Sequence, residues 1–342
     1  MNLYSIDVFS GVGGLTEGMR RAKFRTQIAL EIDVNASKAF KRNHLSTKVI
    51  TKDIREVTIA EIKRKLKNKK IHLLAGCPPC QGFSSVRRLN RSTPIEDERN
   101  SLIMEYIRFV KALKPYTIMM ENVPGLVNYH LFRKALRVLR NELGYSVDYK
   151  IVNVRDYGVP QSRKRLVLVG SRLGEIKVAK PPRVKMVTVR QAIGGMELPG
   201  NSKDKLHRII QINSPEVLEK IRLVPRNGGS RNELPDEYIL DCHRNEEIGF
   251  RDIYGRLRWD DFSSTITGGC LNASKGRFLH PEQNRTISAR EAAILQSFPK
   301  KYKFPTNIKK EDLALLIGNA LPPKFSYYQS LNIKKHILEH LG

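Results

Sequence analysis

Short apolar runs alternate with amphipathic stretches through the first half of the chain, and this constrains the fold more than any other feature. Strand-like runs fall at Leu3–Phe9, Thr26–Ile32, Lys48–Ile50, Ile71–Ala75 and Tyr116–Met120. Between them, Leu15–Ala22, Asn35–Asn43, Ile59–Leu66 and Ser101–Leu113 carry helical spacing. Strands that take turns with helices read as an open α/β sheet, mostly parallel, with helices on both faces. Ser146–Val154 and Arg165–Val169 extend that sheet. From about Lys180 to Asn284 the alternation stops, Pro, Gly and charge are scattered, and Asn227-Gly228-Gly229-Ser230 marks a loop. That stretch reads as a separate loop-rich unit, and such insertions more often carry specificity than stability. Helical spacing returns at Ser288–Ser297 and Lys310–Gly318.

The chain has 342 residues, enough for one large domain and a smaller one. Its 61 basic and 34 acidic residues leave a formal charge of +27. A field of that sign favours a polyanion, and nucleic acid is the obvious partner. The run Lys63–Lys70 (KRKLKNKK) is read as an ordinary solvated face. Four cysteines, at positions 77, 80, 242 and 270, are too few to staple a chain of this length, so a reducing compartment is expected. No apolar stretch approaches the roughly 20 residues of a membrane span. The expected location is the cytoplasm, with no membrane partner.

The ends of the strands hold the chemistry. The first runs into Ser10-Gly11-Val12-Gly13-Gly14. Glycines at a strand-to-helix turn let backbone N–H groups approach a ligand. A dinucleotide fingerprint would place a third glycine at position 16, where this chain has Thr16, and a purely structural tight turn explains the glycines equally well. Glu31 lies at the end of the second strand, 20 residues after Gly11, where an acid can bind ribose hydroxyls. Asp53 follows the third, where a carboxylate can accept from an adenine amino group. Either could be an ordinary loop carboxylate; together they describe a pocket for an adenosine-containing cofactor. The turn, with no phosphate-binding lysine, favours S-adenosylmethionine over NAD or ATP.

The fourth strand runs into Gly76-Cys77-Pro78-Pro79-Cys80-Gln81-Gly82-Phe83-Ser84. Zinc binding would need a second pair of ligands, and Cys242-His243 and Cys270 are not suitably spaced, so no metal is expected. A thioredoxin-like redox pair also follows a strand, but leaves the cofactor pocket unexplained. The third reading is a single nucleophile on a proline-stiffened loop. The fifth strand ends in Met120-Glu121-Asn122-Val123-Pro124, which puts a carboxylate beside that loop if the strands are neighbours. Arg163 and Arg165, in Gln161-Ser162-Arg163-Lys164-Arg165, taken singly read as surface charges.

Taken in order, these segments resemble one family. Asp7–Gly14, Gly76–Ser84, Asp97–Asn100, Glu121–Val123, Gln161–Arg165, Arg290–Pro299 and Gly318–Pro322 match the DNA (cytosine-5) methyltransferases of bacterial restriction–modification (type II) systems over nearly the whole chain. No motif of the set is missing; Leu321 stands where valine is usual. The resemblance implies a Rossmann-like S-adenosylmethionine-dependent methyltransferase fold with a second, smaller, loop-rich target-recognition domain. Residues 1–183, completed by 308–342, would be the catalytic and cofactor-binding domain, and 184–307 the target-recognition domain and hinge. It implies methyl transfer to C5 of a flipped-out cytosine in a specific double-stranded DNA sequence.

Carried over residue by residue, Cys80 matches the nucleophile that attacks C6. Glu121 matches the acid at N3 and the exocyclic amine, Arg165 the arginine that holds O2, and Arg163 a neighbouring support. Cofactor contacts implied are Phe9, stacking on adenine; Ser10, Gly11, Gly13, Gly14 and Leu15 around the turn; and Glu31 and Ile32 near the ribose. Asp53 and Ile54 line the adenine pocket, and Pro79, Leu102, Asn319 and Ala320 close the site, so the last helix should fold back on the first domain. Ser84, Ser85, Arg87, Arg88 and Arg91 would contact DNA from a mobile loop. Cys77 is assigned to packing. A monomer is expected, with a cognate restriction endonuclease as a partner in the same system but not in a stable complex. The rivals are a tRNA cytosine-5 methyltransferase of the same fold, whose branch usually departs from Gln-Gly-Phe-Ser, and a silent DNA-binding relative, against which intact Cys80, Glu121 and Arg165 argue.

Overall fold

The computed structural model describes residues 1–79, 101–239 and 252–342. They divide into two compact units, one built from residues 1–157, 164–183 and 321–342, the other from 158–163 and 184–320.

The first unit is a seven-stranded sheet: β1 (Leu3–Val8), β2 (Phe24–Leu30), β3 (Lys48–Ile50), β4 (Leu73–Gly76), β5 (Thr117–Asn122), β6 (Ser146–Asn153) and β7 (Lys164–Ser171), ordered β3-β2-β1-β4-β5-β7-β6. The strands β3, β2, β1, β4 and β5 run parallel. The sequence reading placed strands close to these bounds but not the reversal at the edge. There β7 inserts between β5 and β6 and pairs antiparallel with both. The strand order turns back between β1 and β4, which in open α/β sheets is where a ligand crevice forms.

Alternation along β1 sorts its side chains between the two faces. Ile6 and Val8 join a core cluster with Ile28, Leu30, Leu74, Ile118 and Met120. That core is covered by α3 (Ile59–Leu66) and α4 (Leu102–Leu113), whose Ile62, Tyr106 and Phe109 are fully buried. Ser5 and Asp7, two residues apart and also without exposure, bond instead to Thr26 and Thr16. Before α3 come α1 (Gly14–Arg21) and α2 (Val34–Asn43); after α4 comes α5 (His130–Arg137). Asp33 caps α2 by accepting from the Ala36 N–H at 2.7 Å, and Thr58 caps α3.

The second unit is irregular, as its sequence suggests. Its helices are short: α6 (Val189–Ile193), α7 (Pro215–Leu223), α8 (Ala289–Leu295) and α9 (Lys310–Asn319). Its order rests on buried polar side chains. Arg256 has no exposure and donates to the carbonyls of Ile221, Val224, His280 and Gln283 and to Asn284 Oδ1, at 2.7–3.0 Å. Around it pack Ile221, Val224, Leu234, Ile253 and Leu279. Glu291 completes the α8 capping box with Ser288 and pairs with Arg285 at 2.7 Å.

The chain returns to the first unit in α10 (Pro323–Leu341), which packs along α1. Ser326 Oγ donates to Leu15 O at 2.7 Å. A Cβ at Gly18 would lie 2.4 Å from Ser326 Cβ, so this close approach requires glycine there. No helix among the described residues is long and apolar enough to cross a membrane.

Candidate active site

The turn after β1 is shaped by left-handed backbone. Phe9, Gly11 and Gly13 have φ of 60°, 54° and 95°. A Cβ built on Gly11 meets nothing within 4 Å, so glycine is needed there for its conformation rather than for lack of space. Two acids brace the turn. Glu31, just after β2, accepts from the Gly11 N–H at 2.6 Å and from the Asp33 N–H at 2.8 Å. Burial raises its carboxyl above the ordinary range, opposed by those two N–H donors. Asp7, beneath the turn, accepts from Thr16 Oγ1 at 2.5 Å. From α2, the buried His44 ring bonds the Gly13 backbone, and burial pulls it down to about 4.

Beside Glu31 the surface opens. Ile32 presents 63% of its surface and Val34 56%, whereas Ile54, after β3, is buried. Asp53 caps the short turn Ile54–Glu56 and binds Arg55 through both oxygens, the shorter contact at 2.6 Å. That pairing holds its carboxyl below the usual range. Leu102 opens α4 at 9% exposure.

A second cluster forms where β4, β5 and β7 lie side by side. Arg165 Nε, on β7, meets Glu121 Oε1, on β5, at 2.8 Å, with side chains 14% and 10% exposed. Strand reversal makes this pair: β5 ends where β7 begins, so residues far apart in sequence lie on neighbouring strand ends. Cys77, immediately after β4, is only partly buried by surface area, yet its thiol is pushed well above the ordinary range. The largest cause is desolvation, followed by the charges of Glu121 and Asp7 and a hydrogen bond to Glu121. The packing role expected for Cys77 therefore has an electrostatic side: its protonated thiol faces the Glu121 carboxylate. Asn122 Nδ2 donates to Pro78 O at 2.8 Å and its Oδ1 accepts from the Val123 N–H. Asn122 thus anchors the segment that leads to Cys80. Sequence reasoning missed that role, although the Glu121-Asn122-Val123 segment carried it.

Among the sequence-derived site residues, Phe9, Ser10, Gly11, Gly13, Gly14, Leu15, Glu31, Ile32, Asp53, Ile54, Pro79, Leu102, Glu121 and Arg165 belong to the first unit. Arg163, Asn319 and Ala320 belong to the second. There Arg163 Nη1 donates to Ile266 O at 2.8 Å and Gly318 O at 2.9 Å, which ties the start of that unit to the end of α9. Gln161 reinforces the tie through Gln296 and the Ile266 N–H. Asn319 is exposed at the end of α9. Cys80, Ser84, Ser85, Arg87, Arg88 and Arg91 lie outside the described residues. No group of three or more His, Cys, Asp or Glu among the described residues could hold a metal ion.

A family model described as C-5 cytosine-specific DNA methylase matches residues 3–335. The chain belongs to that family. It is 34% identical to the Type II methylase M.HgiDII of Herpetosiphon aurantiacus over 97% of this chain and 95% of the relative. It is 33% identical to the Type II methyltransferase M1.HphI of Haemophilus parahaemolyticus, over 94% and 84%. The crystal structure of a prophage-encoded DNA modification methyltransferase from E. coli superposes with a TM-score of 0.75 at 26% identity, covering 99% of this chain and all of that one.

The protein is therefore a DNA (cytosine-5-)-methyltransferase of the type II restriction–modification class. Its fold is the Rossmann-like methyltransferase fold, its substrate DNA and its cofactor S-adenosyl-L-methionine. The end of β1 suits that cofactor. It offers open space over Gly11, an exposed apolar shelf at Ile32, and two buried oxygens without hydrogen-bond partners, Ser10 Oγ and Asp7 Oδ1.

Proposed function

We propose that the protein methylates C5 of a cytosine flipped out of a specific double-stranded DNA sequence, through a transient bond from Cys80 Sγ to C6. The observation that carries this reading is the convergence of Glu121, Arg165 and the segment leading to Cys80 at three neighbouring strand ends. Cytosine C5 is a poor nucleophile, and the target base is inaccessible within a stacked duplex. Thiolate attack at C6 moves the C5–C6 π electrons so that C5 becomes enamine-like. The bound cofactor supplies an electrophilic methyl group to that carbon. Glu121 faces N3 and the exocyclic amine and offsets the charge that develops as C6 is attacked. Arg165 donates to O2 while holding Glu121 in place. Loss of the C5 proton to water then lets the C6–S bond break and frees Cys80.

In this reading Phe9, the turn at Ser10–Leu15, Glu31, Ile32, Asp53, Ile54, Pro79, Leu102, Asn319 and Ala320 hold the cofactor. Asp53 reaches the adenine amino group by exchanging its contact with Arg55. Ser84, Ser85, Arg87, Arg88 and Arg91 contact DNA, and Arg163 supports the site. Residues 184–307 read the target sequence, and the charge of +27 supplies the sequence-independent part of DNA affinity. The protein acts as a monomer, as the modification half of a system with a cognate endonuclease.

Expression in a methylation-free host, followed by bisulfite sequencing of the plasmid, tests the reading. Methylated cytosines should fall within one short recurring sequence and vanish in Cys80→Ser. Methyl label in tRNA but not DNA would move the substrate to RNA, and no transfer to either would leave a silent binding protein.

A further inference from the structure

Asp7 is used by nothing in the mechanism, yet it is the least satisfied charge beneath the cofactor turn. It has no exposure, and its strand neighbours in register are Ala29 and Ala75, which offer no polar side chain. Oδ2 accepts from Thr16 at 2.5 Å; Oδ1 has no hydrogen-bond partner. No basic side chain among the described residues bonds it. The groups whose charges act on it most directly are acids. Glu31 stands at the end of β2 and Cys77 at the end of β4. On α1, Glu17 is bound by Arg20 and Arg21. His44, just after α2, is held neutral by burial, while α10 carries a basic side chain, Lys324, lowered by burial and by Arg21. A carboxylate so placed, with Thr16 as its one hydrogen-bonding residue through hydroxyl and backbone, keeps most of its field for the turn.

We propose that Asp7 sets the charge preference of the cofactor pocket: fixed by Thr16 beneath the Gly11–Gly14 turn, it favours the sulfonium of the methyl donor over the neutral thioether of the spent product. The inference rests on the reading that this turn holds the methionine end of the cofactor. Donor and product share their adenosine, ammonium and carboxylate, so the sulfonium charge is the difference the pocket can exploit. Asp7 acts as a positioning residue, through its field and through Thr16, and not by contact with the reacting atoms. Burial, with Glu31 adding repulsion, pushes its carboxyl up to about 7, so the free protein exchanges that proton near neutrality. A bound sulfonium lowers the carboxyl again. Donor binding therefore expels a proton, and donor affinity falls by up to about tenfold per pH unit below that value. Product binding lacks this term.

Calorimetric titration of S-adenosylmethionine and S-adenosylhomocysteine, in two buffers of different ionisation enthalpy from pH 5.5 to 8.5, reads this directly. The quantity compared is the affinity ratio of donor to product, from which contributions common to both ligands, such as their contacts through adenosine, cancel. In the wild type the ratio should climb about tenfold between pH 6 and 8, with proton release confined to the donor. Asp7→Asn should flatten the ratio at its low-pH value. Thr16→Val keeps the carboxyl but removes its donor, so the midpoint should move to higher pH; this variant carries the test if Asp7→Asn fails to fold. Unchanged profiles in both variants would overturn the inference. Glu31→Ala, compared at pH 8.5 where Asp7 is ionised with or without the Glu31 charge, should weaken both ligands alike and separates the two levels. If it weakens both while the Asp7 and Thr16 variants change nothing, only the charge preference is wrong. If it leaves both ligands untouched, the turn is not the cofactor site and the inference falls with that reading.

Discussion

Asp7 and Arg256 are both charged side chains wholly removed from solvent, one in each unit, and they are treated in opposite ways. Arg256 spends its guanidinium on four carbonyls and one side-chain amide, with no carboxylate partner among the described residues. Burial pulls it down to about 10, which leaves it charged at neutral pH. Asp7 has one side-chain donor and an orphan oxygen. A buried ion with every donor matched stabilises its own fold; one left under-satisfied has interaction energy in reserve for something that binds. The irregular second unit uses buried charge as internal scaffolding, because its described residues form no sheet to satisfy their backbone. The regular first unit has the sheet for that purpose and keeps its unspent charge at the ligand end.

The largest effect should come where charge is used for chemistry. Glu121→Gln keeps the shape of the side chain but removes the acid that faces the base. Single-turnover methylation should slow by about two to four orders of magnitude. Arg165 would lose its partner at the same time, so a thermal melt of the apoprotein should fall as well. A variant that methylates at the wild-type rate would remove Glu121 from the chemistry and leave the ion pair a structural one.

Next in size, Arg256→Met should cost about 3–5 kcal/mol, because its carbonyl acceptors are left buried without donors. The loss should appear as early unfolding of the second unit, seen in hydrogen exchange at residues 221–224 and 279–284, with protection in the sheet retained. Uniform loss across both units would mean that the two do not unfold separately. Gly18→Ala tests the first unit by contrast. The added methyl collides with Ser326, so about 1–3 kcal/mol should be lost at the α1–α10 contact with no change in the second unit.

How much of this was legible depends on whether a feature is local. The seven strand runs and the acids at the ends of β2 and β5 could be read from spacing alone. The reversal of β7 could not, because Lys164–Ser171 has the same apolar pattern whichever way it runs, and only tertiary pairing decides. Asn122 lies in plain view in the Glu121–Val123 segment, but that its amide clamps Pro78 depends on β4 and β5 being adjacent. Asp7 enters the sequence reading only as the first residue of the Asp7–Gly14 segment. Its isolation appears only when Ala29 and Ala75 are seen on either side. Arg256 sat among many arginines in a stretch without periodicity, where nothing in the sequence marks one as buried.

The smallest effect sets the two units against each other through pH. His44 in the first unit and His280 in the second are both pulled down to about 4, chiefly by burial. A histidine held neutral in the folded state binds its proton more readily once unfolded. Each therefore contributes stability that is present above about pH 6.5 and is lost as pH falls toward 4, by at most about 1.4 kcal/mol per pH unit. Asp7 has the opposite sign. Its folded value near 7 lies above its unfolded one, so its contribution is full at low pH and is lost as pH rises from about 4 to 7. In the first unit Asp7 and Glu31, both raised, run against His44, His72 and His336, all lowered, over nearly the same window and offset them; among the described residues of the second unit no raised carboxyl opposes His280. Between pH 7 and 5, hydrogen exchange should show the second unit losing stability while the sheet changes little. Asp7→Asn should then uncover the acid sensitivity of His44 in the sheet, and His280→Gln should remove that of the second unit. Equal acid sensitivity in both units, unchanged by Asp7→Asn, would show that the unsatisfied acid and the buried imidazole do not balance in the folded protein.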